Sequence, residues 1–313
     1  MKVMSVDKDG PADKAWIRAG DYVFRIDRQQ LSASDNFYAK LEGKVGQDVS
    51  LFVADNPDGR NFREVTMKAE SWMQRRQRLY QQYVMGNKVT TAQQSRGAVA
   101  YVHIAAMNQN SLNQFSKEMA SPQVQSAKAL IIDVRDNGGG NIHQQLIDIL
   151  SRKPYAYIQT RTGQRIGQPQ FHWDRPIVAL INERSYSDAE VFPHAMKTLG
   201  MATIVGVQTP GAVIGTRDIQ LSDGTSWRLP GSGFFNIDGT NQEHNGCKPD
   251  VEVVMAPADV MAGRDPQLAK GIEVLLEQLK NGKKPVTEGP RQPTQPTPAK
   301  EGEFVEPAAL PWE

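Results

Sequence analysis

The chain has 313 residues, 36 lysines and arginines against 35 aspartates and glutamates, and a formal charge of +1. That length has room for two domains, and the balanced charge gives no electrostatic footprint for nucleic acid or an anionic membrane surface as partner. A single cysteine, Cys247, excludes an internal disulfide framework and offers no metal cluster, and no stretch is apolar for long enough to span a bilayer. The opening Met1-Lys-Val-Met-Ser-Val-Asp lacks the sustained apolar core of a signal peptide.

Residues 1–68 read as a small, strand-rich unit. Residues 2–6 are a candidate strand, Asp9-Gly-Pro-Ala-Asp is a turn, and residues 12–19 form a short helix stopped at Gly20. An alternating strand follows at 22–27, then a second helix at 34–41 and two strands at 48–54 and 63–68. Gly10-Pro-Ala-Asp-Lys-Ala, Ala19-Gly-Asp-Tyr-Val and Ile26-Asp together resemble the middle of a PDZ domain. In that family a Gly-rich loop and the strand after it bind a peptide's C-terminus. Both elements are expected before Lys2, so the resemblance implies an N-terminally truncated PDZ-like α+β domain, more scaffold than peptide receptor.

Residues 70–85 place Trp72, Met73, Leu79, Tyr80, Tyr83 and Val84 at roughly helical spacing, with an arginine cluster that reads as a solvated face. This basic helix is expected to link and dock the two domains. From Gly97 strands and helices alternate: strand 97–105, helix 111–120, strand 127–134, helix 142–150, strand 176–181, a helix after Ser187, and strand 202–207. Such alternation predicts an α/β layer with a partly parallel, mixed sheet. A hairpin-like stretch at 219–229 turns at Asp223-Gly, and helix formers return at 266–279 after Asp265-Pro. Residues 282–313 are too rich in proline for helix or central strand and read as a disordered tail.

Three places carry groups suited to chemistry. Ser187 sits between the apolar strand 176–181 and a helical pattern of Ala189, Val191, Phe192, Ala195, Met196 and Leu199 that stops at Gly200. Free backbone N–H groups at a helix start can stabilise a developing oxyanion, although serine there is also an ordinary N-cap. Arg135-Asp-Asn-Gly-Gly-Gly-Asn lies between a strand and a helix, and its three glycines let the backbone approach a ligand and present N–H groups. It lacks the Lys-Ser/Thr of a P-loop and the spaced glycines of a dinucleotide fold. Glu243-His244 is the one adjacent acid–imidazole pair in the chain.

Taken together, Asp133-Val-Arg-Asp-Asn-Gly-Gly-Gly, Asn182-Glu-Arg-Ser-Tyr-Ser-Asp-Ala-Glu, Thr209-Pro-Gly-Ala-Val-Ile-Gly-Thr, Leu221-Ser-Asp-Gly-Thr and Glu243-His-Asn-Gly-Cys-Lys-Pro-Asp resemble tricorn-type peptidases, within the wider group of C-terminal processing serine peptidases. The order of the motifs matches, over residues 70–280. The resemblance implies a crotonase-like α/β core with Ser187 as nucleophile and the N–H groups of Gly140 and Asp188 as oxyanion hole. It implies Gly138, Gly139 and Gly140 as the lining of the substrate cleft and Glu243 as the charge-relay acid. It further implies peptide substrates, no metal or cofactor, a homo-oligomer, and a cytoplasmic location.

Two departures qualify that picture. In the family the catalytic histidine precedes the PDZ domain, so this chain is expected to be catalytically incomplete by itself, or else a peptide-binding scaffold without activity. Among the histidines here, His143 borders the glycine loop and His194 lies about two helical turns beyond Ser187. The second departure concerns selectivity: Ile158 stands where relatives that select basic residues carry an acid, so apolar or neutral residues are expected instead. The expected organisation is a PDZ-like domain over 1–68, a peptidase domain over 69–281 and a tail over 282–313.

Overall fold

The computed structural model describes residues 1–163, 165–169 and 172–282, so the proline-rich tail, apart from Gly282, lies outside the described residues. The chain divides into two compact units, Met1–Gly86 and Asn87–Glu313.

The first unit holds helix α1 (Pro11–Lys14), strands β1 (Tyr22–Ile26), β2 (Gln29–Gln30), β3 (Asp48–Ala54) and β4 (Arg63–Lys68), and the start of helix α2 (Trp72–Ser95). The strands form an antiparallel sheet in the order β2-β1-β3-β4. Alternation explains its core: Val49, Leu51 and Val53 of β3 are buried, together with Val23, Ile26 and Ile17. Two expectations fail here. Residues 2–6 supply only an isolated bridge from Lys2 to Tyr22. The helix at 34–41 is reduced to a short 3₁₀ turn, Ala39–Leu41. Asp35 accepts from the Ser32 N–H, and Asn36 Oδ1 from the N–H groups of Tyr38 and Ala39. These side chains give the backbone a local alternative to the helical ladder.

The second unit contains the end of α2, β5 (Val99–His103), α3 (Gln109–Met119), α4 (Pro122–Ser126), β6 (Ala129–Asp133), α5 (His143–Leu150), β7 (Ala156–Gln159), β8 (Arg165–Gln168) and β9 (Ile177–Ile181). It continues through α6 (Asp188–Thr198), β10 (Thr203–Gly206), β11 (Gly215–Gln220), β12 (Ser226–Ser232), β13 (Val251–Glu252), α7 (Pro257–Met261) and α8 (Pro266–Lys280). The five-stranded sheet runs β13-β10-β9-β6-β5 and is parallel throughout, which corrects the expected mixed sheet. The antiparallel pairs, β7–β8 and β11–β12, stand apart as two-stranded hairpins. Every residue of β6 and β9 is buried, as continuous apolar strands covered on both faces should be.

The two faces can be told apart. Leu130, Ile132, Ala179 and Ile181 join a core with Phe115, Leu146 and Phe192 of α3, α5 and α6. On the other face α8 packs so closely that a Cβ added to Gly271 would lie 3.2 Å from Leu180 and 3.3 Å from Val178. Sheet between helices is the layered arrangement that a parallel order demands. Among the described residues, no helix is long and apolar enough to cross a membrane.

Candidate active site

Because the sheet is parallel, the segments leaving β5, β6, β9 and β10 all emerge at one rim. Ser187 stands there at the N-cap position of α6, with φ +55° and ψ −120°. That is a sparsely populated backbone region for a residue with a side chain, at a cost of about 1–3 kcal/mol. The surroundings over-determine it. The Tyr186 N–H donates to the Asn137 carbonyl at 2.9 Å, and the Ser187 N–H to Glu190 Oε1 at 3.0 Å. Glu190, fully buried, also accepts from Thr209 Oγ1 at 2.6 Å and from the N–H groups of Gly211 at 2.5 Å and Ala212 at 2.8 Å. One carboxylate thus ties the Ser187 backbone to the loop after β10.

The glycine loop is fixed by equally local means. Asn137, buried, donates from Nδ2 to the Ile104 carbonyl at 2.8 Å and accepts the Gly139 N–H at 2.9 Å. Met107 and Gly140 bridge in parallel, the Met107 N–H reaching the Gly139 carbonyl at 3.0 Å and the Asn141 N–H reaching the Met107 carbonyl at 2.9 Å. Gly139, with φ +94°, lies against the serine: a Cβ there would sit 2.7 Å from Ser187 Cβ and 2.8 Å from the Tyr186 carbonyl oxygen. Among the described residues, the N–H groups of Gly140 and Asp188 donate to no acceptor within the chain.

A cavity of about 760 Å³ brings together Ser187, Asp188, Gly138, Gly140 and Glu243. Glu243 Oε2 accepts from the N–H groups of Val213 at 2.8 Å and Ile214 at 3.0 Å, so it shapes one wall of the cavity. Ile158 is not part of that wall; it stands on β7 and is 55% exposed. His143 also lines the cavity, with its Nδ1 hydrogen-bonded to Asp188 Oδ1. Asp188 Oδ2 meanwhile accepts from the N–H groups of Ile142 at 2.7 Å and His143 at 3.0 Å. The hydrogen bond to Asp188 raises the His143 pKa above its ordinary value, against the opposing effect of partial burial. His194 on α6 is pushed the other way by burial. Among the described residues, no histidine is hydrogen-bonded to Ser187.

Residues 98–253 match peptidase family S41. The chain carries an S41 peptidase domain. Tricorn protease of Thermoplasma acidophilum is 31% identical over 258 residues, which cover 82% of this chain and 24% of that protein. Tricorn protease homolog 1 of Streptomyces coelicolor is 31% identical over 266 residues, 84% of this chain and 24% of the homolog. A solved tricorn protease structure superposes with a TM-score of 0.69 at 30% identity, covering 90% of this chain and 27% of that one. The resemblance carried by the sequence motifs therefore holds: the S41 domain is that of a tricorn-type serine peptidase. The chain spans about a quarter of the length of these relatives.

Sequence reasoning missed Glu190 as the hub of this site, although Ser187-x-x-Glu190 has the spacing of a capping box. Asn137, Arg228 and Phe234, the latter two in the cavity wall, were also not singled out. Arg228 and Phe234 come from a hairpin and its exit loop, whose approach to Ser187 no local spacing encodes. Among the described residues, no group of three or more His, Cys, Asp or Glu side chains is arranged to hold a metal ion.

Proposed function

We propose that the chain carries the nucleophile half of a serine peptidase that cleaves peptides through an acyl-enzyme at Ser187. The observation that carries this reading is Ser187 in a strained N-cap conformation, opening into a cavity beside two uncommitted N–H groups. The Ser187 hydroxyl adds to the scissile carbonyl, and the oxyanion is met by the N–H groups of Gly140 and Asp188. Collapse expels the amine, which takes up a proton, and water then releases the acyl group. Gly138 and Gly140 line the cleft, with Gly139 packed behind the serine.

The proton from Ser187 needs an acceptor. Since no described histidine is bonded to Ser187, we assign that role to a histidine contributed from outside residues 1–313, on the same or another chain, with Glu243 as its supporting acid. The same observation favours one rival reading, a peptide-binding scaffold with an idle serine. The first unit is assigned as PDZ-like on its order of strands and short helix. Labelling with a fluorescent fluorophosphonate separates the readings. Reaction lost in Ser187→Ala, or gained when the histidine-bearing segment is supplied, supports the peptidase. No reaction under either condition leaves the scaffold.

A further inference from the structure

The peptidase reading leaves open what selects the substrate, and Ile158 stands outside the cavity wall. The acidic, basic and imidazole side chains that do line the wall are Asp188, Glu243, Arg228 and His143. They differ in what they have left to offer. Asp188 spends both oxygens on Ile142, His143 and the imidazole Nδ1, and Glu243 Oε2 is taken by two backbone N–H groups. Arg228 is 73% exposed and faces Asp218 at 3.5 Å. His143 keeps its second ring nitrogen for the cavity: its side chain is 34% exposed, and Phe234 meets the ring edge-on at 6.4 Å.

With Nδ1–H given to a carboxylate, the imidazole is oriented and fixed in place. Among the described residues, its Nε2 hydrogen-bonds to no other group, and it makes no hydrogen bond to Ser187 that would make it the base. We propose that His143, oriented by Asp188, is the specificity-determining residue of the cavity and receives an acidic substrate side chain next to the cleaved bond. The proposal rests on the peptidase reading for the identity of the cleft. An imidazolium Nε2–H to a carboxylate is a charge-assisted bond in a partly enclosed site. The Asp188 hydrogen bond, which raises the His143 pKa, keeps the ring cationic to higher pH than an ordinary histidine. Glu243 opposes the acidic ligand and Arg228 favours it, so the local contribution of His143 decides the outcome.

The test is equilibrium binding, independent of turnover. Acetyl-Ala-Ala-Glu, acetyl-Ala-Ala-Ala and acetyl-Ala-Ala-Lys are titrated into the full chain and into Ser187→Ala, with calorimetry as the readout. The Glu-ended peptide is expected to bind about tenfold more tightly than the Lys-ended one, an advantage that fades as pH rises through the His143 pKa. His143→Gln, which stays neutral, should abolish the advantage of the Glu-ended over the Lys-ended peptide. In the unmutated chain, NMR titration of the His143 ring should show its pKa raised further by the Glu-ended peptide alone. Equal binding of the three peptides, absence of measurable binding by the Glu-ended one, or an unmoved His143 titration would overturn the proposal. Failure of fluorophosphonate labelling even with the histidine-bearing segment supplied would instead strike the peptidase reading, since peptide binding needs no reactive serine.

Discussion

Glu190 shows how one side chain sets the geometry of another. Its carboxylate collects donors from Ser187, Thr209, Gly211 and Ala212. Glu190→Ala strands four donors in a buried site, each costing about 1–3 kcal/mol, so a loss of about 3 kcal/mol or more is expected in a urea unfolding midpoint. Gly139→Ala acts more narrowly. The added methyl collides with Ser187 and Tyr186, so fluorophosphonate reactivity measured with the histidine-bearing segment supplied should fall at least about tenfold while the fold survives. A third expectation concerns pH. The folded His143 pKa lies above its unfolded value because of Asp188, so the pair stabilises fully below the ordinary histidine pKa of about 6.5. That contribution is lost as pH rises through the folded value. Unfolding midpoints of His143→Ala and the unmutated chain should converge above it. Of these residues, Ser187 and the glycines were legible in the sequence because a strand, a turn and a helix meet there. Glu190 was legible only as a cap, since Thr209 and Gly211 reach it from far along the chain.

At the scale of elements, the join between β6 and α8 illustrates a packing that no local pattern reveals. Arg135, just past β6 and almost wholly buried, pairs with Asp133 at 2.7 Å and with Asp265, the N-cap of α8, at 2.9 Å. Burial pushes the Asp133 carboxyl upward, but the Arg135 charge and hydrogen bonds outweigh it and hold the pKa below the ordinary range. Arg135→Ala leaves a buried carboxylate without its main counter-charge and should cost about 3–5 kcal/mol in chemical unfolding. Strands 127–134 and 176–181 were plain in the sequence because buried parallel strands are continuous apolar runs. Helix α2 read short, since Gly86 and the polar, β-branched residues after it are poor helix formers. The helix nonetheless continues to Ser95, whose hydroxyl donates to the Thr91 carbonyl at 2.7 Å and accepts the Val99 N–H at 3.0 Å. Hairpin β7–β8 escaped notice because both strands are short and β7 is wholly exposed, giving no burial alternation to read.

For the whole molecule, the exposed apolar side chains of the second unit matter most. Tyr155, Tyr157 and Ile158 near β7 and Trp227, Phe235 and Ile237 at and beyond β12 each expose half or more of their surface. We propose that these two hairpins meet other copies of the chain. Sedimentation should then give a mass that is a multiple of 34.7 kDa, and Tyr157→Glu combined with Trp227→Glu should return it to that value. The parallel sheet was only partly foreseen. Alternating elements announce parallel pairing, but the sequence offers no sign that both antiparallel hairpins would stand outside the sheet.

A parallel sheet also has an idle side. The residues entering its strands, among them the exposed Lys128 and Asp174, lie at the rim opposite Ser187. The one native thiol, on Cys247, is buried and its pKa is pushed up to about 12, so it stays largely inert to maleimides at neutral pH. A cysteine placed at Lys128 or Asp174 thus becomes a single addressable handle. Dyes, spin labels or a sensor surface can be attached there with the cleft left facing free solution.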